Sequence, residues 1–288
     1  MQRILSTYLF VSKRLTPELL KEVHNASFQA IELFASRGHF DYTNKQEIRT
    51  LGQVLTDNKL QLVSLHGPTS RDFGPNREGG APLSITELER VRRIEAMDEL
   101  KRAIDVAEDL PFSRMILHMG GHRDTPDPRR RDAAFSSLEH LVLHAKHAGV
   151  TICVENTTSE MGEPSQLRAF LEETRLPGLR FNFDIGHANL VAGPEEERVA
   201  AGFGTMRDHI VSAHIHDNLG DKDSHLLPHD GSIDWPAAMK LFGSLPGGQI
   251  PLTLEPKEKT GPEAPSLLEQ IIAAAKSCDR LEEDLQKL

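Results

Sequence analysis

Eight short apolar runs recur along the 288-residue chain, and each is followed by a longer stretch with apolar residues at i, i+3 and i+4. The runs cover residues 4–10, 30–34, 60–66, 114–118, 151–155, 179–184, 210–216 and 250–255. Strands that alternate with amphipathic helices pair in parallel, because each helix carries the chain back to the same edge of the sheet. Eight such units at this length predict an α/β fold, a closed (β/α)8 TIM barrel. An open doubly wound sheet is the competing arrangement. Against it, the first run is followed by neither GxGxxG nor a phosphate-cradling loop. No low-complexity linker interrupts the pattern, so residues 1–288 are expected to form a single domain.

Helix signals support the alternation. Thr16 reads as a cap, with Pro17 in first position and Glu18 in the first turn. Residues 84–110 read as one long charged amphipathic helix, and 127–149 as a helix stopped by Gly149. Asp234 caps a helix opened by Trp235 and Pro236, with Trp235 read as packing. Residues 263–288 close the chain with another helix.

Composition excludes several classes. With 38% hydrophobic and 26% charged residues the chain can bury a core. A net charge of −10 lacks the basic footprint of a duplex binder, so nucleic acid is not an expected partner. The two cysteines, Cys153 and Cys278, make no disulfide framework or thiolate zinc site, and Cys153 reads as a small buried hydrophobe. No run approaches the roughly 18 apolar residues of a membrane span. The apolar patch near the N-terminus lacks the marks of a signal peptide. No membrane association and a cytoplasmic location are therefore expected.

In such a barrel, function gathers where the strands end. Run three ends at His66, run four at His118, run five at Glu155 and Asn156. Run six ends at Asp184 with His187 three residues on, run seven at His214, His216 and Asp217, and run eight at Glu255 with Lys257 beyond. One histidine at a strand end is more often a hydrogen-bonded rim residue than a ligand. Six successive ends carrying imidazole or carboxylate point to a metal site. Nitrogen and carboxylate donors suit Mn²⁺, Co²⁺, Mg²⁺, Fe²⁺ or Zn²⁺. Glu155 and Glu255, from separated strands, could flank one substrate and serve as a base and an acid beside a carbonyl. The stretch 214–235 adds Asp221, Asp223, His225, His229 and Asp230, which read either as further ligands or as a polar surface loop. His39, Arg71, Arg77 and Arg123 could meet a substrate hydroxyl or phosphate, or be plain surface.

The segments VENT (154–157), FDIGHAN (183–189), HIHDN (214–218), HLLPHDGSIDW (225–235) and LTLEPK (252–257), taken in order, resemble the xylose-isomerase-like TIM-barrel superfamily, the sugar phosphate isomerase/epimerase group. The resemblance implies a divalent-metal-dependent isomerase or epimerase acting on a carbohydrate by proton abstraction. It implies one metal ion (Mn, Co, Mg or Zn) on Glu155, Asp184, His214 and Glu255, with the two glutamates as acid/base pair. It also implies substrate contacts from His187 and Lys257, with His66 and His118 lining the pocket. A homodimer is an expected form, since such barrels often pair. The same superfamily holds zinc-dependent abasic-site endonucleases of the endonuclease IV type. Their three-zinc ligand set maps onto His66, His118, Glu155, Asp184, His187, His214, Asp223, His225 and Glu255. Against that alternative, Gly67-Pro68-Thr69-Ser70-Arg71 offers no aromatic wedge, and His118 is followed by Met119. A polyol or inosose dehydratase is a third reading. A binding barrel that has lost catalysis is a fourth, and the presence of both glutamates argues against it.

Overall fold

A computed structural model describes residues 1–70, 82–121, 123–245 and 249–287. Eight parallel strands form one closed barrel in sequence order, as the alternation predicts. They are β1 (Ile4–Ser6), β2 (Ala30–Phe34), β3 (Gln61–His66), β4 (Arg114–His118), β5 (Thr151–Glu155), β6 (Arg180–Asp184), β7 (Ile210–Ile215) and β8 (Leu252–Leu254). The pairing of β8 with β1 closes the ring. Around it lie α1 (Pro17–Asn25), α2 (Lys45–Asp57), α3 (Arg90–Ile104), α4 (Pro128–His147), α5 (Pro164–Thr174), the one-turn α6 (Ile185–Ala188), α7 (Glu195–Met206), α8 (Trp235–Gly243) and α9 (Leu267–Gln286).

Local chemistry sets the boundaries. Thr16, Asp127 and Asp234 each cap the next helix by accepting a backbone N–H in its first turn. Ser266 and Glu269 form a reciprocal capping box at the start of α9. Gly149 takes the left-handed φ of +71° that ends α4.

Two expectations change. The first run is a strand only over Ile4–Ser6, and Thr7–Phe10 form a 3₁₀ turn. The Ser6 hydroxyl accepts from Tyr8 N, and Thr7 Oγ1 accepts from Phe34 N, so side chains draw the backbone out of the ladder. The helix expected over 84–110 begins only at Arg90 and tightens to 3₁₀ over Asp105–Glu108. Ahead of it, Ser84 and Thr86 hydroxyls donate to Asp124, and Arg130 pairs with the same carboxylate at 2.9 Å. That knot holds residues 84–86 in a non-helical path.

Alternate residues divide the strands between two environments. Leu5, Ile31, Leu33, Leu65, Met115, Leu117, Ile152, Val154, Phe181, Phe183, Ala213, Ile215, Leu252 and Leu254 join the core between sheet and helices. The intervening residues include Ser6, Glu32, Ser64, Asn182, Ser212, His214 and Thr253, all buried inside the barrel. Both cysteines are buried, as is Trp235.

Candidate active site

The six predicted strand ends converge on one rim. His118 and Glu155 are register partners across β4 and β5, and Asp184 and His214 across β6 and β7. His216 and Glu255 lie one residue past β7 and β8. Asp184 also caps α6, its Oδ1 accepting from His187 N at 2.7 Å. The three-residue spacing of Asp184 and His187 therefore comes from a turn of helix that starts where the strand stops. Asn156 fixes this corner, accepting from Asp184 N at 2.8 Å and donating to Asp184 O at 2.7 Å.

His214 stands at the centre. Its Nδ1 lies 3.1 Å from Glu155 Oε2, 3.4 Å from Glu255 Oε2 and 3.8 Å from Asp184 Oδ2. All four residues are buried. Nδ1 nevertheless has no hydrogen-bond partner. An unpartnered buried nitrogen facing three carboxylates is a poor arrangement for protein alone and a good one for a cation. The residues therefore fit the divalent ion that the sequence implies.

The surrounding imidazoles are oriented by the backbone. His66 Nδ1 lies 2.9 Å from Gly67 O, His187 Nδ1 2.9 Å from Asn156 O, and His225 Nδ1 2.8 Å from Glu255 O. A carbonyl only accepts, so each Nδ1 carries a proton. His66 Nε2 then faces Glu155 at 3.7 Å. His187 and His225 both direct Nε2 at Asp223 Oδ2, at 3.2 Å. His118 Nε2 lies 3.8 Å from Glu155 Oε1, with its side chain one third exposed at the mouth. Among the described residues, two outer groups gather donor atoms within 4.8 Å of one another, His66 with His118 and Glu155, and His187 with His216, Asp223 and His225; three inner groups do the same, Glu32 with His214 and Glu255, Glu155 with Asp184 and His187, and Asp184 with His216 and Glu255.

Burial and charge set the protonation. Burial pushes the Glu255 carboxyl up to about 8, against the pull of His214 and His225. Burial acts on Glu155 too, but His214 and His187 hold it well below the usual carboxylate range. Burial disfavours charge on His187 and His214, yet nearby carboxylates raise both well above the usual imidazole value. Burial lowers His118 to about 4 despite Glu155. Asp223 is strongly depressed, because His187 and His225 outweigh its burial.

The stretch after β7 divides. Asp223 and His225 join the rim, whereas His229 pairs with Asp284 of α9 at 2.7 Å and Asp230 faces Arg280. Asp217 buckles the loop, accepting from Trp235 Nε1 at 2.7 Å and from His229 N at 3.0 Å. Lys257 keeps an exposed side chain just past β8. His39 is no surface contact for a ligand: it is fully buried, with Nδ1 2.6 Å from Lys13 O. Arg123 is exposed, and Arg71 and Arg77 lie outside the described residues.

Sequence reasoning assigned no role to four contributors. Glu32 sits on β2, inside an apolar run, and reaches His214 from below. His216, noted at its strand end but given no role, stacks on His225 at 3.8 Å and places Nε2 3.0 Å from Asp184. Tyr8 and Phe34 bring rings against His225 and His66. A lone acidic residue amid β-formers was the one available signal for Glu32.

Comparison with known proteins places this arrangement. The uncharacterized protein y4fM of Sinorhizobium fredii is 30% identical over 238 residues, covering 77% of this chain and 75% of that protein. A D-tagatose 3-epimerase-like protein superposes with a TM-score of 0.78 at 20% identity, over 99% of this chain and 97% of the other. An L-ribulose 3-epimerase superposes with a TM-score of 0.74 at 17% identity, over 99% and 94%. At these identities the two likenesses speak for the fold. A family model matches residues 20–278, and the chain belongs to that family, the xylose isomerase-like TIM barrels.

Proposed function

We propose that this chain is a divalent-metal-dependent isomerase or epimerase of a sugar or sugar derivative, working as one domain over residues 1–288. The observation that carries the reading is His214 Nδ1, unpartnered and ringed by Glu155, Asp184 and Glu255. These four side chains would hold the ion. Bound there, a divalent cation supplies polarisation of a substrate carbonyl and its neighbouring hydroxyl. Glu155, kept ionised by its imidazole neighbours, takes a proton from the carbon beside the carbonyl. Glu255 is the acid partner and delivers one. His187 and Lys257 bind substrate, and His66 and His118 line the pocket above Glu155. The fold shared with a D-tagatose 3-epimerase-like protein supports a carbohydrate substrate.

The two outer donor groups favour a second reading, a zinc-dependent phosphodiesterase with up to three ions. Its nine expected ligand positions all reach the rim.

The two are separated by incubating the protein with manganese and a panel of ketoses in deuterated water. Incorporation of deuterium at the carbon beside the carbonyl is the expected result. Inert ketoses together with cleavage of abasic-site DNA would overturn the isomerase reading.

A further inference from the structure

Glu32 is a buried carboxylate that the proposed proton transfer leaves without a task. Its Oε2 accepts from Ser64 Oγ at 2.7 Å. Its Oε1 lies 3.5 Å from Ser6 Oγ and 2.9 Å from His214 Nε2. The last contact is bent away from the N–H direction, so Nε2 gains charge attraction more than a straight hydrogen bond. His214, like His216, is thus not oriented by a hydrogen bond from Nδ1. His66, His187 and His225 turn Nδ1 to a backbone carbonyl. His214 turns Nδ1 to the three carboxylates and Nε2 to Glu32.

A neutral imidazole carries a single N–H. With that proton on Nδ1, the Nε2 lone pair would face a carboxylate oxygen at 2.9 Å, and Nδ1 could not bind a cation. With the proton on Nε2, the protonated side of the ring lies beside the Glu32 carboxylate and is drawn to its charge, and the Nδ1 lone pair points at the pocket. We propose that Glu32 is the positioning residue that fixes His214 as its Nε2–H tautomer and presents Nδ1 to the ion. A carboxylate in this place also makes the imidazole a stronger donor than a carbonyl would. The Ser64 hydroxyl holds Glu32 in turn. The inference rests on the cation-site part of the proposed function and is independent of the substrate.

The test needs no substrate. Mn²⁺ and Zn²⁺ affinities are measured by chelator competition on the full chain and on Glu32→Ala, Glu32→Gln and Ser64→Ala. They are read beside the melting temperature of the cation-free proteins and ¹⁵N spectra of His214. Glu32→Ala is expected to weaken binding about 10- to 100-fold and to scramble the His214 tautomer signal. Glu32→Gln keeps an acceptor oxygen and recovers part of the loss, a rescue that a merely structural role would not give. Ser64→Ala gives a smaller loss at unchanged melting temperature and decides the matter if Glu32→Ala does not fold. Unchanged affinity and tautomer in Glu32→Ala, or unchanged affinity in Ser64→Ala when that variant decides, overturn the inference alone. Absence of cation binding in the unsubstituted protein removes the site reading and the inference with it.

Discussion

Along β6, Phe181 and Phe183 turn outward into the helices while Asn182 and Asp184 turn inward, and the two pairs answer to different physics. The outward layer is hydrophobic packing repeated around the ring, stable because apolar area leaves water. The inward layer is polar where TIM barrels are usually filled by branched apolar side chains. Ser212 donates to Asn182 at 2.7 Å, Asn182 to Glu155 at 3.4 Å, and Ser64 to Glu32 at 2.7 Å. Buried polar groups are costly unless satisfied, and at the rim His214 leaves both ring nitrogens, and His216 one, without a hydrogen-bond partner. The jacket holds the barrel together, and the lumen stores an electrostatic deficit that a cation and a substrate can fill.

The comparison breaks most visibly in the lumen. Glu155→Gln and Glu255→Gln should each slow solvent-proton exchange on the order of a hundred- to ten-thousand-fold. Melting temperature should stay near that of the unsubstituted protein. Full exchange in both variants would remove the acid/base assignment. In the jacket the pattern reverses. Phe183 packs edge-on against Phe203 at 5.5 Å, and Phe183→Ala should cost about 3–5 kcal/mol in urea unfolding. The fraction still folded should bind manganese as before, and loss of affinity without loss of stability would contradict the division.

Acidity sharpens the contrast. Glu255 at about 8 and the raised His187 and His214 carry protons near pH 7 when no cation is bound. An ion that takes Glu255 and His214 as ligands must displace their protons, so binding should release protons and strengthen as pH rises from about 6 to 8. Calorimetry in buffers of different ionisation heat checks this, and a proton count of zero would count against it. The smallest effect lies farthest out. Thr16→Ala removes the α1 cap and should cost about 1 kcal/mol by urea titration, with no change at the site.

The jacket was legible in the sequence because alternation and helical periodicity are local patterns. The rim was legible because strands end there, and an apolar run closing on Asp184 or Glu155 announces itself. The inner polar layer was harder to read. Ser6, Glu32, Ser64 and Asn182 each stand alone in their strands, and only the register that sets Glu32 beside Ser6 and Ser64 makes them a set. The stretch 214–235 illustrates the same limit. Composition offered Asp217, Asp221, Asp223, His225, His229 and Asp230 together, whereas the folded loop sends Asp223 and His225 to the rim, uses Asp217 as a buckle, turns His229 and Asp230 toward α9 and leaves Asp221 exposed. Boundaries at 4–10 and 84–110 were misread for a related reason, since Ser6, Thr7, Ser84 and Thr86 bind backbone or carboxylate groups distant in sequence or outside any periodic pattern.

The most direct test is metal stoichiometry by elemental analysis, on protein purified without chelator or a metal-binding tag. The account predicts about one equivalent of manganese, cobalt, magnesium or zinc, lost in Asp184→Asn and His214→Ala. Two or three equivalents of zinc would contradict a single-ion proton-transfer site and carry the outer imidazoles into a hydrolytic one.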